Sequence, residues 1–376
     1  MKIFAERLLT PEGWREGLTL TAENGRICAI EENVPGELRV HALVPGLFDS
    51  HIHGGCGFDA CAATGEGLDA FLMTMARQGV TDTLLTLSTG SEETIQNGLR
   101  FIRRVMDEQS RGLHPGTRIR GAHMEGPFVN PARSGAMRKE LMQLPNAESF
   151  ERLCGENRDI VRLITVAPEL EGAVSFAAYA RSCGIVVQAG HSDAGFEEGR
   201  NAFRNGFSSL CHTFNAARPI HHREPSIITA ALLDDSVWCE AICDLHHLHP
   251  GTIELIYRCK GRGKMLLVSD STMPNGLPDG EYFATNHPVV VKDGVARTPE
   301  GNLSGGTCFL GECVKKLIAL GLPAEDCIRM ASETPADRLG LSRMGRLAIG
   351  TEDHMAGLDE NGNVQFLLLD NQMISF

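Results

Sequence analysis

The chain has 376 residues, of which 42% are hydrophobic and 22% charged, as in an ordinary globular protein large enough for one big domain and a smaller one. It carries 35 Lys and Arg against 48 Asp and Glu, and the net charge of −13 argues against a surface for nucleic acid or for an anionic membrane. No apolar run is long enough to span a bilayer. The twelve cysteines include no C-x-x-C pair, so we expect buried, reduced thiols in a cytoplasmic protein.

The two ends of the chain predict short β-strands. Asn24-Gly25 separates two apolar runs, at 18–21 and 27–30, and Asn-Gly is a strong hairpin signal. Near the C-terminus, a turn at 359–363 precedes an apolar run at 364–369. Neither end is large enough to be stable alone. We therefore predict that residues 1–43 and 344–376 form one small β-sandwich domain built from both chain termini.

Residues 44–343 alternate between strand-like and helix-like stretches. The helix-like stretches include 68–76, 92–106 and 197–205. Eight apolar, β-rich runs lie at 43–48, 80–87, 119–124, 160–166, 185–188, 208–212, 238–243 and 265–269. Such alternation predicts a parallel sheet, and eight repeats predict an α/β fold of the (β/α)₈ TIM-barrel type. The alternative is a doubly wound open sheet, which would need a G-x-G-x-x-G turn after an early strand, and the chain has none there.

The first barrel strand leads into His51 and His53. Residues two apart on a strand point to the same face, so the two imidazoles project side by side and form half of a transition-metal site. An isolated H-x-H pair is more often two solvated histidines at a turn. The partners that follow later strands decide between the two interpretations.

The C-terminal ends of the strands in such a barrel form one rim, where the active site lies. Each rim residue alone has an ordinary explanation as a turn residue, a surface histidine or a helix cap. Six of the eight predicted strands nevertheless end in imidazole or carboxylate groups, namely His51 and His53, Glu125, His191, His212, the group His246, His247 and His249, and Asp270. Their convergence predicts a metal site.

These residue types suit hydrolysis at a carbonyl group. Histidine and carboxylate ligands bind zinc, iron(II) or manganese. An incomplete protein shell leaves room for a water molecule, whose pKa the metal lowers to about 7. A neighbouring acid can accept the proton of this water and deliver it to a leaving amine, and Asp270 is the candidate.

Several motifs resemble those of the amidohydrolase superfamily in order and spacing, and more narrowly those of the N-acetylglucosamine-6-phosphate deacetylase family. The resemblance covers essentially the whole chain. Its motifs are V-P-G-L-F-D-S-H-I-H-G from residue 44, H-M-E-G-P-F from 123, G-H-S from 190, H-T-F-N-A from 212, R-P-I-H-H-R-E-P from 218, S-D at 269, L-S-G-G from 303 and A-S-E-T-P-A from 331.

The resemblance implies a divalent metal centre. Glu125, His191 and His212 would bind the main cation, and His51 and His53 would complete a second site with Glu125 as the bridge. The cation would be Zn²⁺, with Fe²⁺ or Mn²⁺ as alternatives, at one or two per subunit. Many amidohydrolases instead use a carboxylated lysine after strand four, but residues 166–169 contain no lysine, which fits the glutamate-bridged branch.

The resemblance also implies roles around the substrate. Asp270 would be the general acid and base. His247 would hydrogen-bond the substrate and polarise its acetamide carbonyl. Asn215 and the backbone of Ala216 would meet the sugar phosphate, and the His222-Arg223 arm would reach it from the neighbouring subunit of a homodimer, since a guanidinium fork suits phosphate. The implied reaction is hydrolysis of N-acetylglucosamine-6-phosphate to glucosamine-6-phosphate and acetate.

Three positions depart from the family pattern. Met137 stands where the family has a substrate-contacting histidine, and a thioether cannot donate a hydrogen bond, so His246 or His249 is expected to compensate or the substrate to differ. Leu245 stands where glycine is common. Residues 352–359 differ from the family's D-A-D-L-V-x-L-D, a change that we expect to affect only the β domain.

Two other functions are compatible with these departures. The first is an amidohydrolase for a different N-acyl substrate. The second is a non-catalytic relative, although such proteins usually lose ligands or the general acid, and this chain keeps both. In every case we expect a small-molecule ligand and neither nucleic acid nor membrane as a partner.

Overall fold

The computed structural model describes residues 1–285, 287–306 and 308–376. In chain order, its strands are β1 (Lys2–Thr10), β2 (Gly13–Glu23), β3 (Arg26–Glu32), β4 (Leu38–Pro45), β5 (Leu47–Ile52), β6 (Gly54–Gly55), β7 (Phe58–Asp59), β8 (Val80–Ser88), β9 (Arg118–Glu125), β10 (Val161–Val166), β11 (Val186–Ala189), β12 (Ser209–Leu210), β13 (Trp238–Ile242), β14 (Met265–Val268), β15 (Gly280–Ala284), β16 (His287–Lys292), β17 (Val295–Arg297), β18 (Met355–Leu358), β19 (Val364–Leu369) and β20 (Gln372–Ser375). The α-helices are α1 (Leu68–Arg77), α2 (Glu92–Ser110), α3 (Ala147–Cys154), α4 (Ala173–Ser182), α5 (Phe196–Arg204), α6 (Ile227–Leu233), α7 (Pro250–Lys264), α8 (Leu310–Ala319), α9 (Ala324–Met330) and α10 (Glu333–Arg338).

Eight parallel strands form the barrel and follow one another in chain order. They are β5, β8, β9, β10, β11, β12, β13 and β14. The last strand returns to the first, since the backbone N–H of Asp270, just after β14, donates to the carbonyl of His51 on β5 at 2.9 Å. The predicted (β/α)₈ barrel is therefore confirmed, and the open-sheet alternative is wrong.

The first predicted strand, 43–48, is not a single strand. β4 ends at Pro45, β5 begins at Leu47, and Gly46 lies between them. A Cβ on Gly46 would lie 2.1 Å from Thr81 Oγ1, so a glycine is needed where the chain passes from one sheet to the other. Because β5 is displaced toward the C-terminus, His51 lies within the strand and His53 follows directly after it.

The two ends of the chain pair into one seven-stranded sheet, in the order β20-β19-β18-β4-β1-β2-β3. The predicted Asn24-Gly25 hairpin is confirmed, and both of its turn residues have positive φ, 52° and 74°. The pairing of the termini into a small β unit is thus confirmed. The boundaries at 43/44 and 343/344 stay a prediction.

A charge network centred on the buried His354 and Asp82 joins this sheet to the barrel. His354 Nδ1 lies 2.9 Å from Asp82 on β8, and its Nε2 lies 3.2 Å from Asp370. Arg120 on β9 donates a hydrogen bond to the same Asp82, and its guanidinium lies 3.2 Å from His354 Nδ1. The expectation that segment 352–359 affects only the β domain is therefore wrong, since its His354 contacts the barrel directly.

No helix in the described ranges combines the length and apolarity that a membrane crossing requires. All twelve cysteines are free thiols, as expected, but Cys28 and Cys259 are exposed, so the expectation that the thiols are buried is wrong for these two.

Candidate metal centre and substrate cavity

Glu125, at the end of β9, is the centre of the ligand set. Its Oε1 lies 3.1 Å from His191 Nε2 and 3.0 Å from His212 Nε2, and these two nitrogens are themselves 3.1 Å apart. All three side chains are buried. Two imidazole nitrogens that face each other beside a carboxylate oxygen are the donor set expected around a divalent cation.

A second group shares the same carboxylate. His53 Nε2 lies 3.2 Å from Glu125 Oε2 and 3.2 Å from Asp270 Oδ1, and His51 Nε2 lies 3.3 Å and 3.4 Å from Glu125 and Asp270. His51 is fully buried, yet its Nε2 has no hydrogen-bond partner in the described part of the chain. A buried nitrogen without a partner is unusual unless an ion occupies its lone pair. The buried His, Glu and Asp side chains of both groups therefore fit a divalent metal site.

The backbone turns sharply where these side chains leave their strands. His191, His212 and Asp270 all have positive φ, of 47°, 21° and 48°. Non-glycine residues rarely adopt this conformation, and its cost is typically accepted at functional sites. This backbone conformation directs the three side chains into the same cavity.

The electrostatics of the centre favour a cation. Burial alone would raise the pKa of Glu125, but His51 and the hydrogen bonds from His191 and His212 hold it well below its usual value. Burial would lower the pKa of His53, and Asp270 and Glu125 raise it to about 9. Carboxylates that draw protons onto buried imidazoles also attract a metal ion in competition with those protons.

A cavity of about 390 Å³ opens above the ligands. Asn215 and Ala216, which we predicted as substrate contacts, line it. The other predicted site residues in its wall are His53, Glu125, His191, His212, His247 and Asp270. His51 lies beneath the cavity, and the predicted His222 and Arg223 do not reach it in their own chain. They lie on an exposed loop, where Arg223 Nη1 contacts His222 Nε2 at 2.7 Å.

His247 is held by Asp244. The carboxylate of Asp244 accepts the backbone N–H groups of His246 and His247 at 2.8 and 2.9 Å, and its Oδ2 lies 2.7 Å from His247 Nδ1. This fixes the ring and leaves Nε2 for the cavity. His246 is exposed and the His249 ring caps α7, so the expectation that either replaces the missing family histidine is wrong.

Met137 lies in the cavity wall. Its sulfur accepts a hydrogen bond from Thr89 Oγ1 at 3.1 Å. Leu245, the other departure near the site, adopts a positive φ of 69°, a conformation that glycine would adopt without strain.

The sequence-based prediction did not single out two polar residues of the wall, Arg133 and His287. Arg133, in the loop after β9, accepts a hydrogen bond from His191 Nδ1 with its carbonyl (2.9 Å) and pairs with Asp193. His287 Nε2 lies 2.7 Å from Ser304 Oγ at the mouth of the cavity. The rule that strand-following loops carry the site could have indicated Arg133, whereas His287 lies on the β15–β17 ribbon, which is not a barrel strand.

Comparisons with known proteins place these features in context. The sequence model described as "Amidohydrolase family" matches residues 42–352. The chain is 34% identical, over 99% of its length and 98% of the relative's, to a protein of Escherichia coli O157:H7 named N-acetylgalactosamine-6-phosphate deacetylase. It is 32% identical, over 96% and 92%, to one of Vibrio furnissii named N-acetylglucosamine-6-phosphate deacetylase.

A solved structure is similar over the full chain. A mutant N-acetyl-D-glucosamine-6-phosphate deacetylase from Mycobacterium smegmatis, in complex with N-acetyl-D-glucosamine-6-phosphate, superposes with a TM-score of 0.91 at 28% identity, covering 100% of this chain and 99% of that chain.

Proposed function

This chain belongs to the amidohydrolase family, and we propose that it hydrolyses the acetamide of an N-acetylated amino-sugar phosphate, N-acetylglucosamine-6-phosphate, to glucosamine-6-phosphate and acetate. One observation carries the proposal. The Glu125 carboxylate lies between two imidazole pairs at the floor of a cavity, with Asp270 beside it. That arrangement suits amide hydrolysis, and the named relatives indicate the class of amide.

Glu125, His191 and His212 would hold the main cation, and His51 and His53 a second one. Zinc fits these ligands, with iron(II) or manganese as alternatives, at one or two per subunit. When bound, such a cation supplies a Lewis acid that polarises a carbonyl oxygen and acidifies water.

Asp270 and His247 would carry out the proton transfer and the polarisation. Burial would raise the pKa of Asp270, but His51 and His53 hold it below its usual value, so the carboxylate is ionised and able to accept a proton from water. The same group can then return the proton to the amine as the C–N bond breaks. His247, oriented by Asp244, would hydrogen-bond the carbonyl side of the substrate.

The phosphate end would be bound by groups from two subunits. Asn215 and Ala216 line the cavity of their own chain. His222 and Arg223 are exposed, and therefore available to the cavity of a partner in a homodimer. Arginine is well suited to this role because its fork matches phosphate oxygens.

A second candidate substrate is the galacto epimer. The E. coli relative is named for N-acetylgalactosamine-6-phosphate, and Met137 removes a hydrogen-bond donor from the cavity wall. Both sugars present the same acetamide and phosphate, so the same residues would act on either.

The proposal also includes a small β domain of residues 1–43 and 344–376 and a barrel domain of residues 44–343. It further includes the reducing cytoplasm as the location of the protein. The location rests on the twelve free thiols.

The test is amine release from both epimers by zinc-loaded protein, with N-acetyl amino acids as the comparison. We expect turnover of at least one sugar phosphate, and a KM about 10 to 100 times higher for Arg223→Ala, because one charge-assisted contact is worth about 1.5–3 kcal/mol. Turnover of N-acyl amino acids alone would favour a different amidohydrolase. Sugar-phosphate binding without any conversion would favour a non-catalytic relative.

A further inference from the structure

A buried ion pair lies inside the barrel, one layer beneath the metal centre. Glu240 on β13 and Arg338 at the end of α10 form it, with 0% and 3% of their surfaces exposed. Arg338 also donates to Gln188 Oε1 on β11 at 2.8 Å and to Ser50 Oγ on β5 at 2.7 Å. The guanidinium therefore holds the Glu240 carboxylate in one place, and the proposed mechanism does not use either residue.

The second oxygen of Glu240 contacts the metal ligands from behind. Oε2 lies 3.2 Å from His51 Nδ1 and accepts the backbone N–H of His212 at 3.2 Å. An ionised carboxylate only accepts hydrogen bonds, so His51 must carry its proton on Nδ1. The lone pair is then on Nε2, the nitrogen that faces Glu125 and Asp270.

A different role for Glu240, as a ligand of a third ion, fits the contacts less well. His51, Cys211 and Glu240 do lie within 4.8 Å of one another. However, Oε1 of Glu240 accepts from Arg338, and Oε2 is shared by two N–H donors. The carboxylate has little acceptor capacity left for a cation.

We propose that Glu240, held by Arg338, is a positioning residue that fixes the tautomer and the ring orientation of His51 for the second cation. Carboxylate partners behind a metal-binding histidine typically change metal affinity about 10- to 100-fold. The inference rests on the metal centre of the proposed function and assigns these two residues a role in it.

The decisive variant is Glu240→Gln. Arg338 only donates hydrogen bonds, so the amide oxygen of the new side chain turns toward Arg338 and the amide NH₂ toward His51 Nδ1. Nδ1 must then accept, and the imidazole proton moves to Nε2, the nitrogen that would bind the cation. We expect affinity for the second zinc ion to fall about 10- to 100-fold. Affinity for the first ion, at Glu125, His191 and His212, should fall by a smaller factor, because His212 loses only a backbone hydrogen bond to Glu240 and no partner of its ring. The measurement is a zinc titration of metal-free protein against a chromophoric chelator.

Two further variants separate positioning from general stability. In Glu240→Gln/Arg338→Met, the amide oxygen is free to accept from His51, so part of the lost affinity should return. The control, Gln188→Met, removes another partner of Arg338 at the same depth but no contact with His51, and both zinc affinities should stay at wild-type values. If Glu240→Gln does not unfold cooperatively, Glu240→Asp is used in its place. The shorter side chain of aspartate cannot reach His51, so the affinity for the second zinc ion should again fall.

The outcomes distinguish this inference from the proposed function. Unchanged affinity for the second ion in the Glu240 variants, or an equal loss in Gln188→Met, overturns the positioning role. Wild-type protein that binds one ion only overturns it as well, and leaves the hydrolase proposal standing. Wild-type protein that binds no ion contradicts the proposed function itself.

Discussion

The carboxylate of Asp270 lies 3.2 Å from His53 Nε2 and 3.4 Å from His51 Nε2, and these imidazoles keep it ionised. In Asp270→Asn, the amide cannot accept the proton of the attacking water. We expect kcat to fall about 10²- to 10⁴-fold, the usual contribution of a general acid–base group, with little change in substrate affinity. Steady-state kinetics and calorimetric binding check this.

Zinc content measured on the same Asp270→Asn sample is the control, because Asp270 also lies within the ligand cluster. A variant that keeps its zinc and loses less than tenfold in kcat would exclude Asp270 as the proton carrier.

A substitution at Met137 tests whether this residue determines the preference between the gluco and galacto epimers. Its sulfur accepts from Thr89 and donates to nothing, whereas a histidine there, as in the family pattern, can donate to a sugar hydroxyl. We expect Met137→His to raise kcat/KM for N-acetylglucosamine-6-phosphate relative to the galacto epimer by about tenfold, the value of one good hydrogen bond. An epimer ratio that stays within twofold of wild type would show that Met137 does not determine the preference.

At the level of single residues, sequence reasoning found what lies at strand ends. Glu125, His191, His212 and Asp270 each follow an apolar run, and the periodicity of the barrel brings them to one rim. Glu240 also lies on a barrel strand, β13, but nothing in the sequence around it indicates its role. Its partner Arg338 is 98 positions away, and only the fold brings the two together. His287 was missed because the ribbon that carries it is an insertion.

At the level of elements, a substitution at Gly98 tests how closely α2 packs on β8. This glycine lies within α2, and a Cβ there would lie 2.6 Å from Leu87 Cδ2. Alanine favours helices by about 1 kcal/mol over glycine, but overpacking a buried contact costs about 1–3 kcal/mol. We expect Gly98→Ala to lower the free energy of unfolding by about 1 kcal/mol in urea denaturation.

Gly263, past the break in helical geometry at Gly261 of α7, is the control for an added methyl group, because nothing lies within 4 Å of its Cβ position. Gly263→Ala should leave stability unchanged or raise it slightly. Stabilisation by Gly98→Ala would mean that α2 does not pack on β8 as described.

Element types were predictable, whereas one junction was not. Alternating strands and helices, and the Asn24-Gly25 hairpin, follow from local patterns. The apolar run 43–48 was predicted as one strand because apolar residues lie on both sides of Pro45-Gly46. Only the close approach of Thr81 shows why a glycine interrupts it.

At the level of the whole molecule, His354 couples the terminal sheet to the barrel. Burial and the positive charge of Arg120 would lower the pKa of His354, but Asp82 and Asp370 raise it to about 9. The carboxylate of Glu352 also lies 4.0 Å from the ring. Because this pKa is above the unfolded value of about 6.5, the stabilisation is complete below pH 6.5 and disappears as pH rises through 9.

We therefore expect His354→Gln to destabilise the protein by about 3 kcal/mol at pH 6, and much less at pH 9.5. Thermal unfolding of both proteins across this range measures the difference. A destabilisation that is the same at both pH values would show that the protonated His354 does not join the two parts.

The proposed function depends on side chains from positions 51 to 270 binding one or two divalent cations. Anomalous diffraction at the zinc edge, from crystals of zinc-loaded protein, tests it most directly. We expect a strong peak about 2.0–2.2 Å from Glu125 Oε1, His191 Nε2 and His212 Nε2, with a second beside His51 and His53 when both sites fill. A loaded crystal with no peak at Glu125, or with zinc bound elsewhere in the barrel, would contradict it.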